Sequence, residues 1–184
     1  MKLSLYIIVT VAFFTACKSP FHGLSDQEKR KYQVFKYSDS TKVADDLLAI
    51  TSEDIPTLTH ENNRNLIIFF TSWCPGSKEN IPKVITTLRN SDINIVLITP
   101  DDYYFKSNYE KYRAELDYSK SVYFLDADVY TSWNPHKKMK AFMKEAFPAI
   151  KNVRGFPSGL YTENGQVVAS GIINTDFIDS YLRK

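Results

Sequence analysis

Three runs rich in apolar residues organise the chain: Leu66 to Phe70 (LIIFF), Ile93 to Thr99 (INIVLIT) and Val122 to Leu125 (VYFL), each flanked by polar segments. Runs that are apolar at successive rather than alternate positions predict strands buried on both faces, as in a parallel sheet covered by helices. Between the first two, Ile81, Val84, Ile85 and Leu88 recur at helical spacing and predict an amphipathic helix from about Ser77 to Leu88. Strand, helix, strand in that order predicts a right-handed parallel crossover. A Tyr-rich helix is expected from about Phe105 to Leu116, and another from Lys137 to Phe147, stopped by Pro148. Upstream, Thr41 to Ile50 carries Val43, Leu47, Leu48 and Ile50 at roughly helical spacing, which predicts a further amphipathic helix. Ser25-Asp26-Gln27-Glu28 reads as the N-cap and acidic first turn of a short helix. Gly159 to Thr162 and Gln166 to Ser170 flank Glu163-Asn164-Gly165, and Asn-Gly between apolar runs predicts a hairpin with a tight primed turn. Asp176 to Leu182 closes the chain as a helix.

Composition adds that this is one folded core. The chain has 184 residues, 43% of them hydrophobic, with 12 Tyr and 12 Phe, which is too apolar for a disordered chain or a fibre. Its 23 basic and 21 acidic residues give a net charge of +2, so no electrostatic footprint for nucleic acid is present. The short basic runs Lys29-Arg30-Lys31 and His136-Lys137-Lys138 read as solvated helix faces. His22, His60 and His136 are widely separated, none with a Cys or carboxylate partner at ligand spacing, so neither a metal site nor a cofactor is expected.

The N-terminus changes the picture of where the protein works. Met1-Lys2 is followed by an apolar stretch from Leu3 to Ala16, shorter than the roughly 20 residues of a permanent membrane span, and it reads as a signal peptide over residues 1–16. Small residues before Cys17 resemble the lipobox of bacterial lipoproteins, with Phe14 where Leu is usual. That resemblance implies acylation of Cys17, a membrane attachment through it, and a place in the bacterial cell envelope facing an extracytoplasmic compartment. Residues 17–25 are then a tether, 26–40 an N-terminal extension, and 41–184 the folded domain. Cys74 is left as the free thiol, in a compartment where disulfides persist.

Cys74 falls where the first buried strand gives way to a helix. A thiol at a helix start faces unpaired backbone N–H groups and the positive end of the helix dipole, and both favour the thiolate. Pro75 suits the first helical turn, because it needs no N–H partner. Trp73 can shield the thiol on one side and offer an apolar surface. A buried, inert cysteine is the alternative.

The run Phe69-Phe70-Thr71-Ser72-Trp73-Cys74-Pro75-Gly76-Ser77-Lys78 resembles the active-site segment of the thioredoxin family, whose pattern is Trp-Cys-x-x-Cys at this junction. Arg154-Gly155-Phe156-Pro157-Ser158, followed by the Asn164-Gly165 hairpin, is similar to that family's cis-proline segment, with Pro157 in the cis-Pro position. The resemblance spans about Thr41 to Lys184. It implies a thioredoxin-like α/β fold, a single domain with a central mixed sheet flanked by helices. It also implies Cys74 as nucleophile, and Trp73, Pro75, Phe156 and Pro157 as the surface that receives substrate, with protein or small-molecule thiols and disulfides as partners. The resolving cysteine is replaced by Ser77, which cannot form a disulfide, so a mixed disulfide at Cys74 must be released by another thiol.

Three functions fit this pattern. One is a monothiol oxidoreductase in which Ser77 stabilises the Cys74 thiolate by a hydrogen bond. Another is a catalytically inactive binding module that holds an extended peptide or a redox partner. The third is a peroxidase, since Thr71-x-x-Cys74-Pro75 also resembles the peroxiredoxin Thr-x-x-Cys and Arg154 could supply that family's charge. Against the third, the peroxiredoxin proline would fall at Ile67. Asp101-Asp102 and Asp126-Ala127-Asp128 follow predicted strands and read as turn or N-cap residues. The aromatics Tyr103, Tyr104, Phe105, Tyr109 and Tyr112 read as core packing at helical spacing, and the insert 101–121 as a place where specificity could reside.

Overall fold

The three apolar runs become the interior of one sheet in the computed structural model, which describes residues 35–36, 48–151, 153 and 155–182. Arg64–Phe69 (β3), Asn94–Thr99 (β4) and Val122–Leu125 (β5) lie side by side and parallel, with Ile67 opposite Val96 and Ile98 opposite Tyr123. Two short strands, Phe35–Lys36 (β1) and Leu48–Ile50 (β2), extend the sheet beyond β5, again parallel. On the other side the hairpin Ser158–Glu163 (β6) and Gln166–Ile172 (β7) joins β3 antiparallel. The order is β1-β2-β5-β4-β3-β6-β7. A run of parallel strands from β1 to β3, closed by an antiparallel hairpin on the far side of β3, makes the thioredoxin-like α/β fold with a mixed sheet.

Helices cover both faces. Ile55–His60 (α1) and Pro135–Ala146 (α4) lie on the side of Ile67, Phe69, Val96 and Ile98, where Ile55, Met139, Phe142 and Met143 complete a buried cluster. Phe69 meets Phe142 edge-on, with ring centroids 5.8 Å apart. The alternate residues Leu66, Ile68 and Phe70 are fully buried on the opposite face. There Phe70 packs on Tyr109 and Tyr112 of Lys106–Glu115 (α3), at 5.4 and 5.7 Å between centroids. Tyr112 donates its hydroxyl to the Ser77 carbonyl of Pro75–Leu88 (α2) at 3.0 Å, which sets α2 and α3 side by side. Each of these large apolar side chains contributes roughly 1.5–3 kcal/mol by burial.

Several expectations are corrected. Leu48, Ala49 and Ile50 are not the end of a helix but a buried strand between β1 and β5; residues 41–47 lie outside the described residues. Pairing with β5 decided a segment whose apolar residues suit either period. β1 falls within the stretch 26–40 read as an extension. Helix α1 was not expected, although Thr51 and Asp54 form a capping box ahead of it. The Asn164-Gly165 turn has both residues at positive φ, 50° and 76°, the primed hairpin expected. The last helix begins at Thr175, capped by Asn174, and continues as a π-helical turn from Ile178 to Leu182. The helix expected after Ser25, and residues 1–34 generally, lie outside the described residues.

Behind the end of β3 sits a buried polar knot. The Tyr109 hydroxyl accepts from the Ser72 backbone N–H at 3.1 Å and from the Thr99 hydroxyl at 2.6 Å, and donates to Asp101. Asp101 is therefore not a turn residue facing water but a buried acceptor that fastens β3, β4 and α3 together. Burial pushes its carboxyl above the usual range, against the opposing pull of the Tyr109 and Trp73 hydrogen bonds. Burial also pushes the Tyr109 hydroxyl far up, so it stays a donor. A carboxyl raised in the folded state binds its proton more tightly folded than unfolded. Its stabilising contribution is complete below its ordinary value of 3.8 and is lost as pH rises through the higher folded value. Asp101→Asn should lack this loss. Urea midpoints should show the variant gaining on the wild type as pH rises from about 4 through that window, and parallel pH profiles would contradict the assignment.

Candidate active site

Cys74 is the N-cap of α2, with extended backbone (φ −75°, ψ 124°), and Pro75 occupies the first helical position. Both facts follow from the local sequence. Pro75 has no N–H to leave unpaired and disfavours a helical conformation at the residue before it, so the helix starts at Pro75, two residues before the start at about Ser77 that the apolar spacing predicts. The Cys74 N–H donates to the Thr71 carbonyl at 3.2 Å and its carbonyl accepts from Lys78 N–H at 3.1 Å, which fixes the tight turn that presents the thiol.

The thiol is half-buried and faces the second motif. Its Sγ donates to the Phe156 carbonyl at 3.2 Å. The Phe156–Pro157 peptide is cis, as the resemblance implies. The approach is close enough to restrict position 76. A Cβ on Gly76 would stand 3.2 Å from the Phe156 oxygen and 3.3 Å from Pro157 Cδ, tighter than side chains ordinarily pack. The glycine in Cys-Pro-Gly-Ser therefore answers to steric fit between α2 and the Pro157 loop. Pro75 is exposed, Phe156 half-buried and Pro157 buried.

Ser77 makes no hydrogen bond to the Cys74 thiol. It sits at the third helical position, where a side chain can reach back towards the N-cap, and it is fully buried. Its Oγ nevertheless has no hydrogen-bond partner, and Cys74 spends its proton on Phe156 instead. The physical reason is that a protonated thiol is a donor and takes the better acceptor, a backbone carbonyl. Thr71 is likewise buried with its Oγ1 unpartnered. Arg154 lies outside the described residues, as does Cys17.

Neighbouring elements supply what the sequence analysis missed. Trp73 is exposed, but its Nε1 donates to both Asp101 oxygens, at 3.0 and 3.2 Å, so the indole is tied to the buried knot. At the start of α4, Asn134 caps the helix by accepting from the His136 and Lys137 N–H groups, and His136 stacks on Phe156 at 4.6 Å between ring centroids. Two residues on, Lys138 is only 2% exposed and forms an ion pair with Asp102. The basic run is therefore not a solvated face throughout. Lys138 turns inward because Asp102, carried by the loop after β4, meets it there. Tyr109 and Tyr112 are buried as core residues, whereas Tyr104 is exposed. Among the described residues no group of three or more His, Cys, Asp or Glu could hold a metal ion, and no helix is long and apolar enough to cross a membrane.

No protein-family model and no curated protein matches this chain. Solved structures do align with it. The thioredoxin domain of a thiol-disulfide oxidoreductase from Bacteroides vulgatus is 17% identical, with 65% of this chain and 76% of that one covered and a TM-score of 0.47. A thiol-disulfide oxidoreductase from Bacteroides fragilis is also 17% identical over 65% and 80%, with a TM-score of 0.42. A thiol:disulfide interchange protein of the thioredoxin family from Chlorobium tepidum is 15% identical over 75% and 94%, also with a TM-score of 0.42. At these values the fold assignment rests on this chain's own strand order and connections.

Proposed function

We propose that the chain takes part in thiol-disulfide exchange through Cys74 as its single nucleophile, as an exported protein held to the bacterial cell envelope by a lipid on Cys17. The observation that carries the reading is a half-exposed thiol at the start of α2, 3.2 Å from the carbonyl of the residue before Pro157. A sulfur in this position is open to a substrate disulfide on one side and held by two elements of the fold on the other.

The exchange runs in two steps. The Cys74 thiolate attacks a disulfide R–S–S–R′, forming Cys74–S–S–R and releasing R′–S⁻. A second thiolate, from the substrate itself or from a separate small thiol, then attacks the mixed disulfide and frees Cys74. Oxidation and reduction balance between the incoming and outgoing sulfurs, and Ser77, carrying no sulfur, takes no electrons. A thiolate cannot donate to the Phe156 carbonyl, so on losing its proton Cys74 loses that bond. The first-turn N–H groups of Gly76 and Ser77, which have no partner within the helix, and the Ser77 hydroxyl are the donors at hand. In this reading Ser77 acts on the charged form of the sulfur and not on the thiol.

A second reading, a binding module without turnover, is favoured by the Sγ–Phe156 bond, which engages the thiol inside the fold. Trapping separates the two. Without a thiol at position 77 a mixed disulfide at Cys74 should persist, so protein isolated without reductant should carry disulfide-linked partners that Cys74→Ala lacks entirely. A partner set unchanged by Cys74→Ala would replace exchange with noncovalent binding. For the anchor, Cys17→Ala should release the protein from membranes, and undiminished retention through washing with high salt would refute lipid attachment at that residue.

A further inference from the structure

The bond from the Cys74 Sγ to the Phe156 carbonyl, 3.2 Å long, exists only while the sulfur is protonated. Hydrogen bonding to the neutral form of a group opposes its ionisation, so the position of the Phe156 carbonyl enters directly into the balance between thiol and thiolate. The chain on either side of Phe156 is held unequally. After it, the Pro157 carbonyl accepts from the Ile173 N–H at 2.9 Å, which ties Pro157 to the residue that follows β7. Before it stands Gly155, at φ 82° and with the backbone freedom of a residue that has no Cβ. On that side the placement of Phe156 falls to its ring, which packs against the buried cluster and is stacked by His136, with 4.6 Å between centroids and 23° between planes.

His136 is presented from a rigid support. It is the second residue of α4, and Asn134 fixes that turn by accepting from the His136 N–H at 2.9 Å and from the Lys137 N–H at 3.3 Å. Two residues on, the buried ion pair of Lys138 with Asp102 fastens the same turn to the loop after β4. The imidazole itself is on an exposed residue. A side chain that the core does not need thus rests on the residue that holds the thiol proton, and it does so from the best-anchored end of its helix.

We propose that His136 is a positioning residue for Cys74: by stacking on Phe156 it keeps the Phe156 carbonyl on the sulfur and so restrains the thiol from ionising. The inference rests on the reading of Cys74 as the exchange nucleophile, because the thiolate is the attacking form and the restraint therefore acts on the first step of exchange. The action is one of packing. An imidazolium acting on the sulfur through its charge would have the opposite sign and favour the thiolate.

Full-length wild type, His136→Ala and His136→Phe are alkylated with iodoacetamide across pH, and labelling is read by mass spectrometry on the peptide that carries Cys74, apart from Cys17. Loss of the stack in His136→Ala should move the half-point of the rate profile to lower pH by about half a unit. At a fixed pH below the half-point this is labelling about threefold faster, the low end of what one hydrogen bond carries. His136→Phe keeps a ring on Phe156 and should follow the wild type. Tyr112 of α3, which feels the charge on Cys74, is pushed far up by burial and keeps its proton throughout, and Lys78, one turn along α2, is the same in all three proteins. Superimposable profiles for the wild type and His136→Ala would overturn the inference. So would a shift to higher pH in both variants, the sign expected of a lost cation. A wild type whose Cys74 is not alkylated in the folded protein would instead remove the exchange reading itself, and this role with it.

Discussion

The hydroxyl of Tyr109 is the point on which the site depends. It receives the Ser72 N–H and the Thr99 hydroxyl and gives its proton to Asp101, so the turn after β3, the end of β4 and helix α3 meet at one buried oxygen. Leaving any of these groups buried and unpaired would cost about 1–3 kcal/mol each, which holds the turn after β3 in a single geometry. Asp101 passes the constraint outwards to Trp73, and its neighbour Asp102 passes it to α4 through Lys138. The helix cap at Cys74 and the Pro157 loop are thus set against a rigid floor.

On that floor the site is a matter of close fit with few parts. Gly76 lets the first turn of α2 approach the Pro157 loop, and the approach brings the Cys74 sulfur to the Phe156 carbonyl. His136 stacks on the Phe156 ring from the α4 side, so the residue that holds the thiol is itself held. The unpartnered hydroxyls of Ser77 and Thr71 stand out against this economy. Buried polar groups are nearly always satisfied, and in the proposed mechanism Ser77 finds its partner once the sulfur is charged.

Much of this was legible in the sequence, for identifiable reasons. β3, β4 and β5 are buried on both faces, so their apolar character is continuous and needs no partner to be read. Cys74 as a helix cap follows from Pro75 beside it, and the hairpin from Asn164-Gly165, because both are local effects of backbone chemistry. The failures are non-local. Leu48–Ile50 is a strand because β5 and β1 lie either side of it, and three residues carry no period of their own. Lys138 resembles its solvated neighbours until Asp102 is brought to it, and Asp101 resembles a turn residue until Tyr109 and Trp73 converge on it. The capping box at Thr51 and Asp54, by contrast, is a local signal that marks the start of α1.

The central claim is that Cys74 is an accessible nucleophile whose missing partner would stand at position 77. Ser77→Cys changes one heavy atom at a site where the first helical turn already brings the side chain towards the N-cap. The account predicts that mild oxidation closes a disulfide between Cys74 and the introduced thiol, and that the variant reduces a small disulfide substrate that the wild type processes only when an external thiol is supplied. Failure of that bond to form in folded protein would contradict the placement of Cys74 and the exchange chemistry built on it.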